Sequence, residues 1–367
     1  MKFSVQRESL LTPLTQIIGA VERRQTDAIF GNILIEAADT VTFTATDSEI
    51  ELQAVADIHV DQPGNITVPA RKFYDICRHL PDSARIDVSV EGEKAKVKSG
   101  RSRFTLTTLP ADQFPKTEPL QDAQRVSLSV EELQNSIHAT AFSMAQQDVR
   151  FYLNGLLLEI SPKRLSCVAT DGHRLAYAQC ETKAEPDSPV RAIVPRKSVG
   201  EWQRLLGTAE PEDEVSLHVT PQQLQIALNN VRLTTKLIDG SFPDYNRVIP
   251  TDSNKEIVID CDTLKQALTR ASVLSNEKYR GVRLALQKGV LTISTNNPEQ
   301  EEATDEVEVD YTGDSTEIGF NVQYLLDVLG AVNTENAVIR LKDGNSSALV
   351  TPEQDDNCQY VVMPMRL

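Results

Sequence analysis

Apolar and polar residues alternate along this chain in short runs, and the runs recur in one order three times. Alternation with a period of two marks half-buried strands in TVTFTATD, IELQAVADI, RLSCVATD and GVLTISTN. Leucine, isoleucine and phenylalanine at roughly helical spacing mark ESLLTPLTQIIGAV, VEELQNSIHATAF and DTLKQALTRASVL. Each of these helices follows a short strand, KFSV, RVSLS or EIVID. Three strand-like segments come next: GNILIEAA, TVTFTATD and IELQAVADI; LNGLLLEI, RLSCVATD and RLAYAQC; GVRLALQ, GVLTISTN and ATDEVEVD. A fourth, ITVPA, AIVPR or EIGFN, runs into a second helix, RKFYDICRHL, KSVGEWQRLL or VQYLLDVLGAV. Three more strands close each copy, ending on RFTLTTL, RLTTKLI and YVVMPMRL, with turn pairs such as Ser99-Gly100 and Asp343-Gly344 between them. Ser129 with Glu132 predicts a capping box, and Asp262 predicts the N-cap of the third copy's first helix.

The period is set by Thr46-Asp47, Thr170-Asp171 and Thr295-Asn296, each closing an equivalent strand, at intervals of 124 and 125 residues. A repeat of that length is a whole domain and not a solenoid unit. The expected fold is α+β: three tandem copies of a βαβββαβββ domain, with two helices on one face of mostly antiparallel sheet. Expected boundaries are 1–120, 121–250 and 251–367, where PKTEPLQDAQ and PTDSNKE are polar and proline-containing.

Composition narrows the class. Of 367 residues, 40% are hydrophobic and 25% charged, so each third can bury a core of its own. No apolar run reaches the roughly 20 residues of a membrane span, and MKFSVQRESLL does not read as a signal peptide, so a cytoplasmic protein without membrane partners is expected. Five scattered cysteines read as small buried hydrophobes in a reducing compartment. A net charge of −16 argues against tight electrostatic binding of nucleic acid. It does not argue against enclosing DNA without gripping it.

A triplicated chain carrying VPARKFYDICRHLP, SGRSRF, YLNGLL, ATDGHRLA, FPDY, VLSNEK, NNPEQEEA, GFNVQYLLDVL and VMPMRL, in that order, resembles the bacterial sliding clamps. These are the β subunits, or processivity factors, of the replicative DNA polymerase. The resemblance covers the whole chain. It implies a homodimer closed head to tail into a ring, helices lining the hole and sheets outside, around double-stranded DNA without sequence preference. It also implies docking of DNA polymerases, the clamp loader and repair proteins through a short peptide motif.

The residues offer independent support for the ring junction. EKAKVKSGRSRF in the first copy is basic (Lys94, Lys96, Lys98, Arg101, Arg103), and PEQEEATDEVEVD in the third is acidic (Glu299, Glu301, Glu302, Asp305, Glu306). Opposite charges on the first and last domains suit a contact that closes after two chains. Phe104, Val273 and Leu274 are similar to the family's apolar junction residues. Taken alone, both runs read more readily as solvated surface.

Two of the four methionines, Met363 and Met365, lie in the last five residues, and methionine suits surfaces that accept several partners. Val361, Met363, Pro364, Met365 and Arg366 match the family's partner-peptide cleft between the second and third domains. Leu153, Thr170, Gly172, His173, Arg174, Leu175, Pro243, Arg247 and Val248 match its other walls. Facing DNA, the resemblance assigns Arg24, Arg71, Lys72, Arg78, Arg196, Lys197 and Arg204, with Gln147 and Tyr152 on a nearby loop. Long basic side chains there can touch phosphates without reading bases. The third copy has Asn321-Val322 where the others have Arg-Lys. The RQTDAIF loop, Phe151 and Asn345 depart from the family pattern.

No catalytic centre, metal site or cofactor is expected. Asp171 with His173 lacks a nucleophile and a third ligand, and Thr-Asp recurs at 46-47 without a histidine, so Asp171 reads as a turn residue. Ser275-Asn276-Glu277-Lys278 matches S-x-x-K formally, but no K-T-G follows. The alternatives to a clamp are an interaction scaffold unrelated to DNA, or a hydrolase.

Overall fold

The computed structural model describes residues 1–21 and 27–366, so Arg24 and much of the RQTDAIF loop lie outside the described residues. The first copy runs β1 (Lys2–Gln6), α1 (Arg7–Ile17), β2 (Asn32–Ala37), β3 (Val41–Thr46), β4 (Ile50–Ala56), a short β5 (Val60–Gln62) and β6 (Gly64–Pro69). It ends with α2 (Ala70–His79), β7 (Arg85–Glu91), β8 (Lys94–Ser99) and β9 (Ser102–Thr107). The second is β10 (Gln124–Ser129), α3 (Val130–Thr140), β11 (Gly155–Ser161), β12 (Arg164–Thr170), β13 (Arg174–Glu181) and β14 (Val190–Pro195). There follow α4 (Arg196–Leu206), β15 (Glu214–Val219), β16 (Gln223–Leu228) and β17 (Val231–Lys236). The third is β18 (Lys255–Asp260), α5 (Cys261–Ser272), β19 (Gly281–Gln287), β20 (Val290–Asn296), β21 (Glu302–Glu308) and β22 (Thr316–Asn321). Its last elements are α6 (Val322–Ala331), β23 (Asn336–Leu341), β24 (Ala348–Pro352) and β25 (Cys358–Val362). The chain is thus a mixed α/β fold of three equivalent copies. Counting the strand that enters the second helix, the second and third copies are βαββββαβββ, and the first adds the short β5.

The hydrophobic pattern sets these elements. In β4 and β16 alternate residues are buried and open, as one covered sheet face requires. On α2, Ala70, Phe73 and Cys77 face the core, while Arg71, Lys72 and Arg78 stay outside. In the third copy Leu264 and Leu268 of α5 and Leu325, Val328 and Leu329 of α6 pack with Leu284, Ile293 and Phe320 from the sheet.

Every named strand pairing is antiparallel, and the pairing obeys one rule. Within a copy the first strand joins the last three, and the four middle strands join one another. The middle group of one copy then pairs with the last strand of the next: β4 with β17, and β13 with β25. Two eight-stranded sheets result, β10-β15-β16-β17-β4-β3-β2-β6 and β14-β11-β12-β13-β25-β24-β23-β18. Left over are β5-β1-β7-β8-β9, with β9 at its edge, and β21-β20-β19-β22, with β21 at its edge. The chain forms two compact units, Met1–Glu131 with Glu185–Asp187 and Gly200–Leu237, and Glu132–Ala184 with Ser188–Val199 and Ile238–Leu367. The second copy contributes strands to both.

The Thr-Asp turn is part of the fold, as its recurrence predicts. The Thr46 hydroxyl donates to the Ile50 carbonyl (2.7 Å), and the Asp47 carboxylate accepts from the Glu49 and Ile50 amides (2.9 and 2.8 Å). Thr170 bonds the Arg174 carbonyl (2.6 Å), and Asp171 takes the His173 and Arg174 amides (2.9 and 3.0 Å). The third residue is left-handed in both, Ser48 at φ 75° and Gly172 at φ 88°. The third copy departs: Thr295 pairs with Ala303 across a longer loop, and its hydroxyl points to the Ala271 carbonyl.

Helix α5 is capped by Asp260, whose carboxylate accepts from the Thr263 amide at 2.7 Å, and not by Asp262, which sits in its first turn. The helix starts one residue earlier than the apolar pattern suggests, because Cys261 is already helical and buried. Replacing Asp260 with Ala is expected to loosen α5 by about 1 kcal/mol, and Asp262→Asn by less than about 0.5 kcal/mol. Amide exchange of the α5 first turn reads the difference, and equal effects would mean the cap is shared.

Candidate partner-docking site

Side chains from the Thr170–Arg174 turn, the connector after β17 and the end of β25 converge on a pocket of about 140 Å³. Of the residues expected there, Leu153, Thr170, Gly172, His173, Arg174, Leu175, Pro243, Val248, Val361 and Met363 line it. The pairing of β13 with β25 brings them together, setting Leu175 opposite Val361. Beyond β25 the Met363 amide donates to the His173 carbonyl at 2.9 Å, so the tail continues the ladder along the pocket wall. Leu175 and Val361 are buried with Leu157, Val168 and Phe242 beneath the site, while Met363 is 42% exposed. Small-molecule pockets usually hold ~300–1,000 Å³. A smaller apolar socket suits one side chain of a docking peptide.

Four expected cleft residues lie elsewhere. Arg247 is 85% exposed and ion-paired to Asp244 at 2.9 Å, outside the lining. Pro364 is also outside it. Met365 and Arg366 border a different recess with Tyr279, Arg283 and Glu302, because the Met365 amide donates to the Gly319 carbonyl (2.7 Å) and turns the tail toward β22. Asn345 is in an exposed turn, its amide bonded to Asp343.

Arg150, Tyr152, Phe242 and Tyr245 line the pocket in addition. Tyr152, assigned by resemblance to the DNA-facing loop, is therefore a pocket wall. Arg150 is held bidentately by Asp148 (3.0 and 2.9 Å), and this guanidinium keeps the Asp148 carboxyl at a pKa of about 2. Tyr245 donates to Glu159 (2.7 Å) and stacks on Tyr177; burial, then that carboxylate, pushes its phenol up. A sequence signal for Phe242 does exist: Phe114-Pro115 and Phe242-Pro243 close the first two copies. Arg150 has none, since its place depends on the fold of the preceding loop.

Arg174 borders the pocket but is committed to the fold. Its guanidinium donates to Asp171 (3.1 Å), Asp327 (2.5 Å) and the Phe142 carbonyl (2.8 Å), and it lies 4.5 Å over the Tyr324 ring, which also stacks on His173. This pins the β12–β13 turn to α6. Beside it the His173 and Tyr324 rings stack at 6.4 Å between centroids.

The basic residues also split between fold and surface. Arg71, at the start of α2, donates to the Val21 carbonyl at 2.6 Å, and Arg196, at the start of α4, donates to the Met144 carbonyl at 2.7 Å. Both bonds satisfy a carbonyl just past the copy's first helix, which gives the repeated Arg-Lys pair a structural reason. Both side chains otherwise remain exposed, as does Lys72, and Lys197 is half-buried. Arg78 pairs with Asp75 (3.2 Å) beside the Tyr74 ring. Arg204 is spent: it binds Glu201 (2.9 Å), the Thr15 carbonyl (3.0 Å) and the Gln16 carbonyl, bracing the end of α1. Gln147 is exposed with φ 57°, and Phe151 is exposed.

The residues expected at a junction lie on or beside β9 and β21 or just after α5. Arg103 and Phe104 are on β9, with Arg101 in the turn before it. Glu302 begins β21, and Glu299 and Glu301 lie in the exposed loop leading to it. Val273 and Leu274 follow α5, Val273 being 77% exposed.

Hydrolytic chemistry finds no support in the Ser275 motif, whose hydroxyl donates to the Ser272 carbonyl (2.7 Å) while Lys278 lies over Tyr279. No cluster of three metal-ligating side chains occurs among the described residues. Shared sheets, a small apolar socket and committed polar groups around it define a class: a scaffold assembled from tandem α+β repeats.

The three copies match the family models of the DNA polymerase III beta subunit, its N-terminal domain over residues 1–118, its central domain over 127–244 and its C-terminal domain over 246–366. The chain belongs to the DNA polymerase III beta subunit family. It is 48% identical to the beta sliding clamp of Pseudomonas putida over 369 residues and to that of Escherichia coli K12 over 377, covering all of each. The crystal structure of the Pseudomonas aeruginosa subunit superposes with a TM-score of 0.96 at 47% identity over both full chains. A second from that organism, also at 0.96 and 48% identity over both full chains, is bound to griselimycin.

Arg174→Ala strands two part-buried carboxylates and is expected to cost about 3 kcal/mol, lowering the urea midpoint. An unchanged midpoint would mean that this guanidinium is free for partners.

Proposed function

We propose that this chain is a DNA sliding clamp: two copies close head to tail around duplex DNA, and the Val361–Met363 socket tethers polymerases, the clamp loader and repair proteins. The pairing rule carries this reading. The third middle strand of one copy pairs with the last strand of the next, and among the described residues β21 and β9 are the two that lack that partner. A strand edge exposes a row of backbone donors and acceptors that seeks another strand. β21 is acidic, and β9 carries Arg103 and is preceded by Arg101, so joining β21 of one chain to β9 of the next meets both demands. Repeating the operation closes a ring, and the family supports two chains per ring. The copies act as domains bounded near 120 and 250.

Retention on DNA is then topological. A protein of net charge −16 with basic side chains on α2 and α4 can centre a duplex while binding it weakly. Arg71, Lys72, Arg78, Arg196 and Lys197 are the contacts offered, with one bond of Arg71 and of Arg196 fixing their direction. The socket takes an apolar side chain of a short partner segment, with Met363 adapting to several. No described helix is long and apolar enough to cross a membrane; the replication role supports a cytoplasmic location.

Two measurements test this. Arg103→Glu should weaken self-association at least tenfold by light scattering, and adding Glu302→Lys should restore it; an unaffected dimer removes the β9–β21 junction. Loaded on closed circular DNA, the protein should stay, and it should slip off once the circle is cut. Equal loss from both forms overturns the ring.

A further inference from the structure

The first and second copies build a groove that repeats the backbone bonds of the docking socket's turn and ladder end. Where the socket has Thr170, Gly172 and His173, the groove has Thr46, Ser48 and Glu49, in the same hydrogen-bonded turn. Phe114-Pro115 stands for Phe242-Pro243, with both phenylalanines buried below. Thr234 lies opposite Glu51 as Val361 lies opposite Leu175. The Lys236 amide donates to the Glu49 carbonyl at 3.0 Å, as the Met363 amide does to that of His173 at 2.9 Å. The groove is larger, about 330 Å³, and the connector Lys116–Glu118 forms its far side.

What changed is the chemistry. Thr234 and Lys236 replace Val361 and Met363, and Glu49 replaces His173. Lys116 is neutralised by Glu36 at 2.6 Å. Glu49 and Glu118 are exposed and have no ion-pair partner among the described residues. Glu51, behind the wall, accepts the Thr117 amide at 2.8 Å, and burial raises its carboxyl pKa. Carboxylates outnumber free cations, and threonines line the floor.

We infer that this groove is a second docking cleft, which takes an extended polar peptide segment carrying Lys or Arg where the first takes an apolar side chain. The inference rests on the reading of the first socket as a peptide site. Equal backbone geometry supplies the same ladder end and turn, and the side chains select the opposite class of ligand.

The test uses the full-length protein and two labelled peptides at 150 mM salt, where loose surface attraction is screened. Acetyl-Gly-Arg-Ser-Arg-Gly-amide should saturate at one per chain. Glu49→Gln with Glu118→Gln should weaken it tenfold or more, whereas Glu185→Gln with Glu212→Gln, on remote surface, should not. No saturable binding, equal weakening by both variants, or tighter binding of the Glu-for-Arg peptide overturns the inference. Acetyl-Gly-Leu-Ala-Leu-Phe-amide should bind once per chain to the wild type and to both variants. Grafting Ser48→Gly, Glu49→His, Thr234→Val and Lys236→Met should raise that to two; a folded graft still binding one overturns the equivalence. No apolar-peptide binding to the wild type overturns the first socket alone, and the basic peptide still decides the second.

Discussion

Each copy leaves a strand edge on either side, and the backbone groups along those edges must find partners or face water. Pairing β4 with β17 and β13 with β25 answers this twice inside the chain, and everything else in the architecture follows. Main-chain bonds rather than side-chain fit join the copies, so the sequence at each joint is free to vary. At one joint the facing pair is Glu51 and Thr234, at the other Leu175 and Val361. The same geometry therefore produces a polar groove and an apolar socket.

The socket depends on that joint and on a turn made rigid by three layers of bonds. Thr170 and Asp171 satisfy the turn's own backbone, Arg174 ties it to α6, and Arg150 is locked by Asp148 along its rim. Gly172 is left-handed, and a side chain there would meet Arg150 at 2.9 Å. For the peptide proposed to dock there, a preorganised rim lowers the ordering cost of binding. Met363, half-exposed and unbranched, is the adaptable wall.

Charged residues divide by a simple criterion, whether a carbonyl or carboxylate lies within reach. Arg174 and Arg204 are consumed by the fold, Arg71 and Arg196 are half consumed, and Lys72 remains exposed. Sequence alone sees seven basic residues and cannot rank them, because a guanidinium's partners include carbonyls 50 to 189 residues away. The same blindness hid Tyr152 and Tyr245 as pocket walls. Phe242 was readable, since the Phe-Pro pair repeats.

Period, strand alternation and helical spacing determined the three copies, their element order and nearly every segment, since these depend on local geometry and on which face must be dry. The Thr-Asp turn was legible for the same reason: its bonds close within four residues. Small errors, such as Asp262 for Asp260 at a cap, came from boundaries that one hydrogen bond decides. Tertiary structure alone decided which strands of different copies pair, hence that, among the described residues, β9 and β21 are the equivalents left without an inter-copy partner. It also turned the tail away after Met363, sending Met365 and Arg366 to another recess. Backbone pairing over long separations has no signature in composition, because any strand can offer the same donors and acceptors.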